Sequence, residues 1–113
     1  MIKISHNNRC RKSREGLQTV QDSNQPFEVI DYISNPLSVK ELEEIITILE
    51  ITPIDLVRQN EAIWKSDFKG KEWSDEELIK AMATHPKLIE RPIVIHENKG
   101  VIGRPKERIQ DVI

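Results

Sequence analysis

Ile2-Lys3-Ile4-Ser5-His6-Asn7-Asn8-Arg9-Cys10-Arg11-Lys12-Ser13-Arg14 carries the single cysteine of the chain. The alternation of Ile2 and Ile4 about Lys3 reads as a short strand over Ile2–Ser5, and Lys12–Gln21 reads as a helix with Leu17 and Val20 as its sparse apolar positions. Cys10 therefore stands where a strand hands over to a helix. There it meets the partial positive charge of unpaired helix N–H groups, and Arg9, Arg11, Lys12 and Arg14 lie within four positions of it. Both effects favour thiolate, the form that attacks. Free cysteine titrates at about 8.5, and a drop of about 2 units makes thiolate the majority form at neutral pH. The bland reading is a small inert thiol among solvated charges, and the residues alone leave the two readings equally open.

The 113 residues suffice for one modest core, which Ile, Leu and Val must fill because aromatic residues make up 4%. A formal net charge of −2 gives no global reason to expect nucleic acid or an anionic membrane as partner. The basic cluster is local to Cys10, and the acidic residues gather in Glu41–Glu44 and Asp75–Glu77. No signal-peptide pattern is present, and no apolar run approaches the ~18 residues that span a bilayer. A cytoplasmic protein is expected. One cysteine builds neither a disulfide framework nor a Cys-rich zinc site, and His6, His85 and His96 show no metal-ligand spacing, so no metal is expected.

Beyond the first helix, Phe27-Glu28-Val29-Ile30-Asp31-Tyr32 alternates as a strand between Pro26 and the turn formers Asn35-Pro36. Ser38-Val39-Lys40-Glu41 is a capping box opening a helix with the stripe Leu42, Ile45, Ile46 and Leu49. Thr52-Pro53 opens a short helical segment through Val57. Ser74-Asp75-Glu76-Glu77 repeats the capping box, with Leu78, Ile79 and Met82 inside and Pro86 beyond the end. Lys65–Trp73, polar around Gly70, is the softest stretch, flanked by Trp64 and Trp73 as packing residues of a lid or satellite cluster. Pro92–His96 reads as a strand, Asn98-Lys99-Gly100 as the reversal and Val101-Ile102 as its return. Pro105 starts a last helix with Ile109, Val112 and Ile113. The expected architecture is α/β, a four-stranded mixed sheet with β-α-β first and β-β-α last. The chain reads as a single domain, 1–113, with a helical insertion at approximately 38–86.

On a helix starting after Cys10, Ser13 and Arg14 fall on the side of the thiol, so backbone N–H groups, a hydroxyl and a guanidinium converge as an oxyanion site. A phosphatase-type loop needs arginine six positions after its cysteine, where Gly16 stands. Cys-x-x-Cys chemistry needs a thiol where Ser13 stands, so any redox turnover borrows a second thiol from outside, glutathione being the obvious donor. Arg58, Arg91 and Arg104 each stand at a structural breakpoint. Singly each reads as a surface charge; together with Cys10 they form a set of planar donors suited to a tetrahedral oxyanion.

The chain resembles the glutaredoxin-dependent arsenate reductase family, which has a thioredoxin-like fold. The marks are His6-Asn7-x-x-Cys10-x-x-Ser13-Arg14, Leu56-Val57-Arg58, Ile89-Glu90-Arg91-Pro92-Ile93-Val94 and Ile102-Gly103-Arg104-Pro105, spread over nearly the whole chain. The resemblance implies that Cys10 attacks the arsenic of arsenate while Arg58, Arg91 and Arg104 hold the oxyanion. Glutathione, the co-substrate, then adds, glutaredoxin completes the cycle, and arsenite leaves; no cofactor is tightly bound. It also implies that Pro92 is the cis proline beside the cysteine. It implies for His6 a part in holding Cys10 as thiolate, the alternative being a strand-end histidine packing on the loop. His85 and His96 read as structural. A monomer is expected.

The pattern departs at Arg11 and Lys12, where arsenate-resistance members carry small residues, at Asn8, where proline is frequent, and in a chain that ends soon after Arg104. The added charge suits stronger anion capture or a bulkier anionic thiol. Two other functions therefore stay open: a glutathione-linked thiol protein of this type acting on another substrate, and a regulator binding RNA polymerase. The regulator's usual Cys-x-x-Cys switch is missing at Ser13.

Overall fold

Ile2 and Ile4 are fully buried while Lys3 is exposed, so the first strand, β1 (Ile2–Ser5), turns alternate side chains into a core, as its alternation requires. In the computed structural model, which describes residues 1–113, β1 lies inside a four-stranded sheet. With β2 (Phe27–Ile30), β3 (Ile93–His96) and β4 (Lys99–Ile102), the strand order is β2-β1-β3-β4. β1 runs parallel to β2, with Ile2 opposite Phe27, and antiparallel to β3, with Ile4 opposite Val94. This is the mixed sheet of a thioredoxin-like fold, β-α-β followed by β-β-α.

The chain divides into two compact units. Met1–Asn35 and Arg91–Ile113 form one, and Pro36–Glu90, where an insertion at 38–86 was expected, forms the other. In the sheet unit, α1 (Arg11–Asp22) lays Val20 and Leu17 on a core of Ile2, Ile4, Val94 and Ile109. Its polar side carries Arg11 and Lys12, both paired with Glu15. The helix stops where Ser23 closes onto the Val20 carbonyl and Asn24 takes a left-handed φ of 57°.

In the helical unit, α2 (Val39–Leu49) starts at the Ser38 capping box and buries Leu42, Ile45, Ile46 and Leu49. After α3 (Pro53–Leu56), Val57 forms an isolated bridge with Ile89, and the Arg58 and Glu90 N–H groups bond the Leu88 and Leu56 carbonyls at 2.7 Å each. The two ends of the unit are thus tied to one another. α4 (Asp75–Thr84) starts at the Ser74 capping box and buries Leu78, Ile79 and Met82.

Four local expectations change. β2 ends at Ile30 rather than Tyr32, because the Asp31 carboxylate accepts from the Ile33 and Ser34 N–H groups and the Ser34 hydroxyl, closing a turn. The reversal after β3 is Glu97-Asn98, with Glu97 at φ 59° and Gly100 already opposite Ile95. A two-residue hairpin with positive φ at its first central position usually holds glycine there, and Gly100 draws a sequence reader too far along. The final helix is a 3₁₀ helix over Lys106–Asp111, whose three-residue turn puts Ile109 and Val112 on one side. The supposedly soft stretch contains a π-helix, Trp64–Phe68, in which Phe68 stacks on Trp64 at 5.6 Å, meets Trp73 at 5.0 Å and takes the edge of His85 at 6.3 Å. Trp64 and Trp73 thus belong to a satellite aromatic cluster within the helical unit.

Candidate active site

Cys10 caps the N-terminus of α1 in extended conformation, at φ −96° and ψ 122°. Its own N–H bonds the Asn7 carbonyl and its carbonyl receives the Arg14 N–H, both at 3.0 Å, so the residue is pinned by its backbone while its sulfur stays partly exposed. The first-turn N–H groups of a helix have no partner inside it, and that of Ser13 favours the ionised Cys10 thiol.

Two arginines arrive from the far end of the chain. Arg104 places Nη2 3.3 Å from Cys10 Sγ. Its Nε donates to the Arg91 carbonyl at 2.6 Å, which fixes the plane of the guanidinium. Arg91 is 6% exposed and its side chain also bonds the sulfur. The hairpin holds both together, since the Gly103 N–H bonds the Pro92 carbonyl at 2.8 Å just past the Ile93–Ile102 pair. The Arg91–Pro92 and Arg104–Pro105 peptide bonds are cis.

These neighbours set the charge of the thiol. Burial pushes Cys10 upward, but the Ser13 N–H, the Arg91 hydrogen bond and the charges of Arg91 and Arg104 outweigh it, leaving the thiol below its ordinary range. The cationic help comes from residues distant in sequence. Arg11 and Lys12, with side chains 84% and 60% exposed, pair instead with Glu15.

A thiolate at a helix start, flanked by two guanidiniums and a free helix N–H, can attack an electrophilic centre bearing several oxygens while those donors take the developing charge. The ArsC family model matches residues 4–112. This chain belongs to the ArsC family. The uncharacterized protein YfgD of Escherichia coli K12 is 38% identical over 114 residues, covering 99% of this chain and 96% of that protein. An arsenate reductase of Neisseria meningitidis serogroup A is 34% identical, with 99% and 97% covered. The solved structure of an arsenate reductase from Vibrio cholerae is 35% identical and superposes with a TM-score of 0.93, covering 99% of this chain and 97% of that one.

In this ArsC protein, Cys10, Arg91 and Arg104 come together as described. Ser13 is fully buried, and its hydroxyl oxygen accepts the Asn7 N–H at 2.9 Å and lies 2.8 Å from His6 Nδ1. The hydroxyl thus braces the loop, and the N–H of the same residue helps lower the Cys10 thiol. His6, 6% exposed, has that Ser13 contact on one ring nitrogen and no hydrogen-bond partner on the other. Arg14 is exposed and its Nη1 donates to the Asn8 carbonyl at 3.0 Å, clipping the turn before Cys10. Arg58 lies in the helical unit, where its Nε donates to Asn60 Oδ1 at 3.0 Å and its Nη1 pairs with Glu61 at 3.7 Å. His96 Nδ1 meets the Val112 carbonyl at 2.8 Å. No group of three His, Cys, Asp or Glu side chains is placed to hold a metal ion, and no helix is long and apolar enough to cross a membrane.

Sequence reading gave Asn7 no role of its own beyond its place in the motif. Asn7 organises the loop from three of its atoms: its carbonyl takes the Cys10 N–H, its N–H goes to Ser13 Oγ, and its Oδ1 takes the Arg9 N–H. The signal was available, because asparagine before a helix start commonly bonds the backbone two residues on.

Proposed function

We propose that this ArsC protein is an arsenate reductase with one nucleophilic cysteine, drawing its two electrons from glutathione and glutaredoxin. The Cys10 thiolate attacks arsenic(V) and a hydroxyl leaves as water, forming a sulfur–arsenic bond. Glutathione displaces a second hydroxyl in the same way. A glutaredoxin thiol then attacks the glutathione sulfur, arsenic becomes arsenic(III), and the two external thiols become one mixed disulfide. Water releases arsenite and returns Cys10 as thiolate.

The observation that carries the proposal is the Arg104 guanidinium 3.3 Å from a thiol whose ionisation Arg91 and Arg104 favour. Arsenate is a tetrahedral oxyanion whose added charge in the transition state such donors stabilise. The names of the Neisseria and Vibrio relatives support the same chemistry. The single cysteine demands outside thiols, since the chain has none with which to resolve an intermediate. The test is arsenate-dependent NADPH consumption with glutathione, glutaredoxin and glutathione reductase. Turnover that needs both arsenate and Cys10 is expected, with Cys10→Ser as blank. A folded protein with a reactive thiol and no arsenate-dependent turnover would overturn the assignment.

A second reading has an observation of its own. Arg11 and Lys12 directly follow Cys10 in sequence and stand largely in solvent, which suits an anionic partner bulkier than arsenate, such as glutathione joined to another protein. Turnover of a glutathionylated peptide in the absence of arsenate would favour it.

A further inference from the structure

Gly16 lies in the interior of α1, where glycine is the poorest residue short of proline, and it is buried. A Cβ there would stand 2.5 Å from Cγ and 3.3 Å from Cβ of Pro92, and 3.4 Å from Ile109 Cδ1. At Gly103 a Cβ would stand 2.9 Å from both Cγ1 and Cδ1 of Ile109 and 3.1 Å from Pro92 Cγ. Gly16 thus leaves room for the Pro92 ring, and Gly103 for the same ring together with the Ile109 side chain. The pyrrolidine cannot swing aside as a flexible side chain would, so a methyl group at Gly16 must displace Pro92 and the chain bonded to it.

That chain is the one carrying the site arginines. Arg91 directly precedes Pro92, and Arg104 directly follows Gly103, whose N–H bonds the Pro92 carbonyl. Arg104 Nε is in turn held by the Arg91 carbonyl. Moving the ring therefore moves the Arg91 carbonyl, and with it the guanidinium that touches Cys10 Sγ.

We propose that Gly16 and Gly103 are positioning residues of the thiol site: their missing side chains form a socket for the Pro92 ring, and the socket sets Arg91 and Arg104 against the Cys10 sulfur. Neither glycine touches the reacting atoms. The inference goes beyond the reductase reading, because the arginines can be read through the thiol whatever the substrate.

The experiment uses the whole chain and three variants, Gly16→Ala, Gly103→Ala and Val20→Ala. Thiolate absorbance is titrated against pH, iodoacetamide alkylation is timed at mildly acid pH, and circular dichroism and Tm follow the fold. Gly16→Ala should stay folded, titrate higher than the parent and alkylate several-fold more slowly. Gly103→Ala should shift in the same direction by less, since its Cβ would stand 3.1 Å from Pro92 Cγ rather than 2.5 Å. Val20→Ala, in the same helix and fully buried, should lower Tm and leave the titration where it was. A folded Gly16→Ala with the parent's titration would overturn the proposal. So would a Val20→Ala shift of equal size, or loss of the fold in both glycine variants, either of which would make the glycines matter to stability alone. Arsenate turnover enters none of these readings, so failure of the reductase assignment would leave the result interpretable.

Discussion

Arg104 Nη2 stands 3.3 Å from Cys10 Sγ, although 94 positions of chain separate the two residues. Burial raises the thiol, and the Ser13 N–H, then Arg91, then Arg104 bring it down, while the basic residues beside it in sequence take no part. β1 and β3 are neighbours in the sheet, and that pairing brings the two ends of the sequence to one place.

Thiol reactivity should persist to lower pH than in free cysteine. Burial alone would raise the titration, and the Ser13 N–H with Arg91 and Arg104 lowers it. Because the folded thiol titrates below the unfolded one, its contribution to stability is present above the unfolded value and is lost as pH falls through the folded one. Alkylation rate against pH should show an acid limb displaced downward from that of a glutathione standard. A limb coincident with the standard would contradict the arrangement.

Arg91→Ala should cost turnover more than it costs the fold. Loss of one charge-stabilising donor typically slows attack by about 10²–10³-fold, and the Cys10 titration should rise with it. Arg104→Lys keeps the charge but loses the planar fork that spans the Arg91 carbonyl and the sulfur. It should therefore retain part of the thiol shift while losing much of the rate. Steady-state kinetics beside thiolate titration separate the two effects.

Ser13→Ala should destabilise the loop, because the Asn7 N–H loses its acceptor and His6 Nδ1 loses its buried neighbour. A buried polar group left without a partner costs about 1–3 kcal/mol. Chemical denaturation should show a loss in that range, whereas the lowering of the Cys10 thiol by the Ser13 N–H, a backbone group, should remain. Unchanged stability would mean that the hydroxyl does not brace the loop.

The two tryptophans flank Phe68 in the helical unit. Phe68→Ala should open the stack, shift tryptophan emission to the red and lower stability by more than the ~0.5–1.5 kcal/mol of a single aromatic pair. Fluorescence through a denaturant titration checks both.

Sequence periodicity located every strand and the main helices because each obeys a local rule. Ile2 and Ile4 alternate about Lys3, and Ser38 and Ser74 sit three residues before the glutamates that complete their caps. The errors fall where distant or unusual geometry decides. Nothing local to Glu97 announces a left-handed turn, and counting polar residues around Gly70 hides what Phe68 does between two indoles. In the site, Cys10 was legible from its place at a helix start. Arg91 and Arg104 were legible as members of a set with Cys10, but that Arg14 clips a carbonyl and Arg58 pairs with Asn60 and Glu61 depends on tertiary directions that sequence spacing does not encode. Gly16 looked like a missing arginine of another enzyme's loop, although glycine inside a helix was itself the hint of a close neighbour.

The pairing of β1 with β3 also orders events at the ribosome. Cys10 is synthesised early and Arg104 94 positions later, so through most of translation the sulfur is an ordinary thiol without its guanidiniums. The share of the thiol's character that Arg91 and Arg104 supply is therefore complete only once β3 and β4 have joined β1.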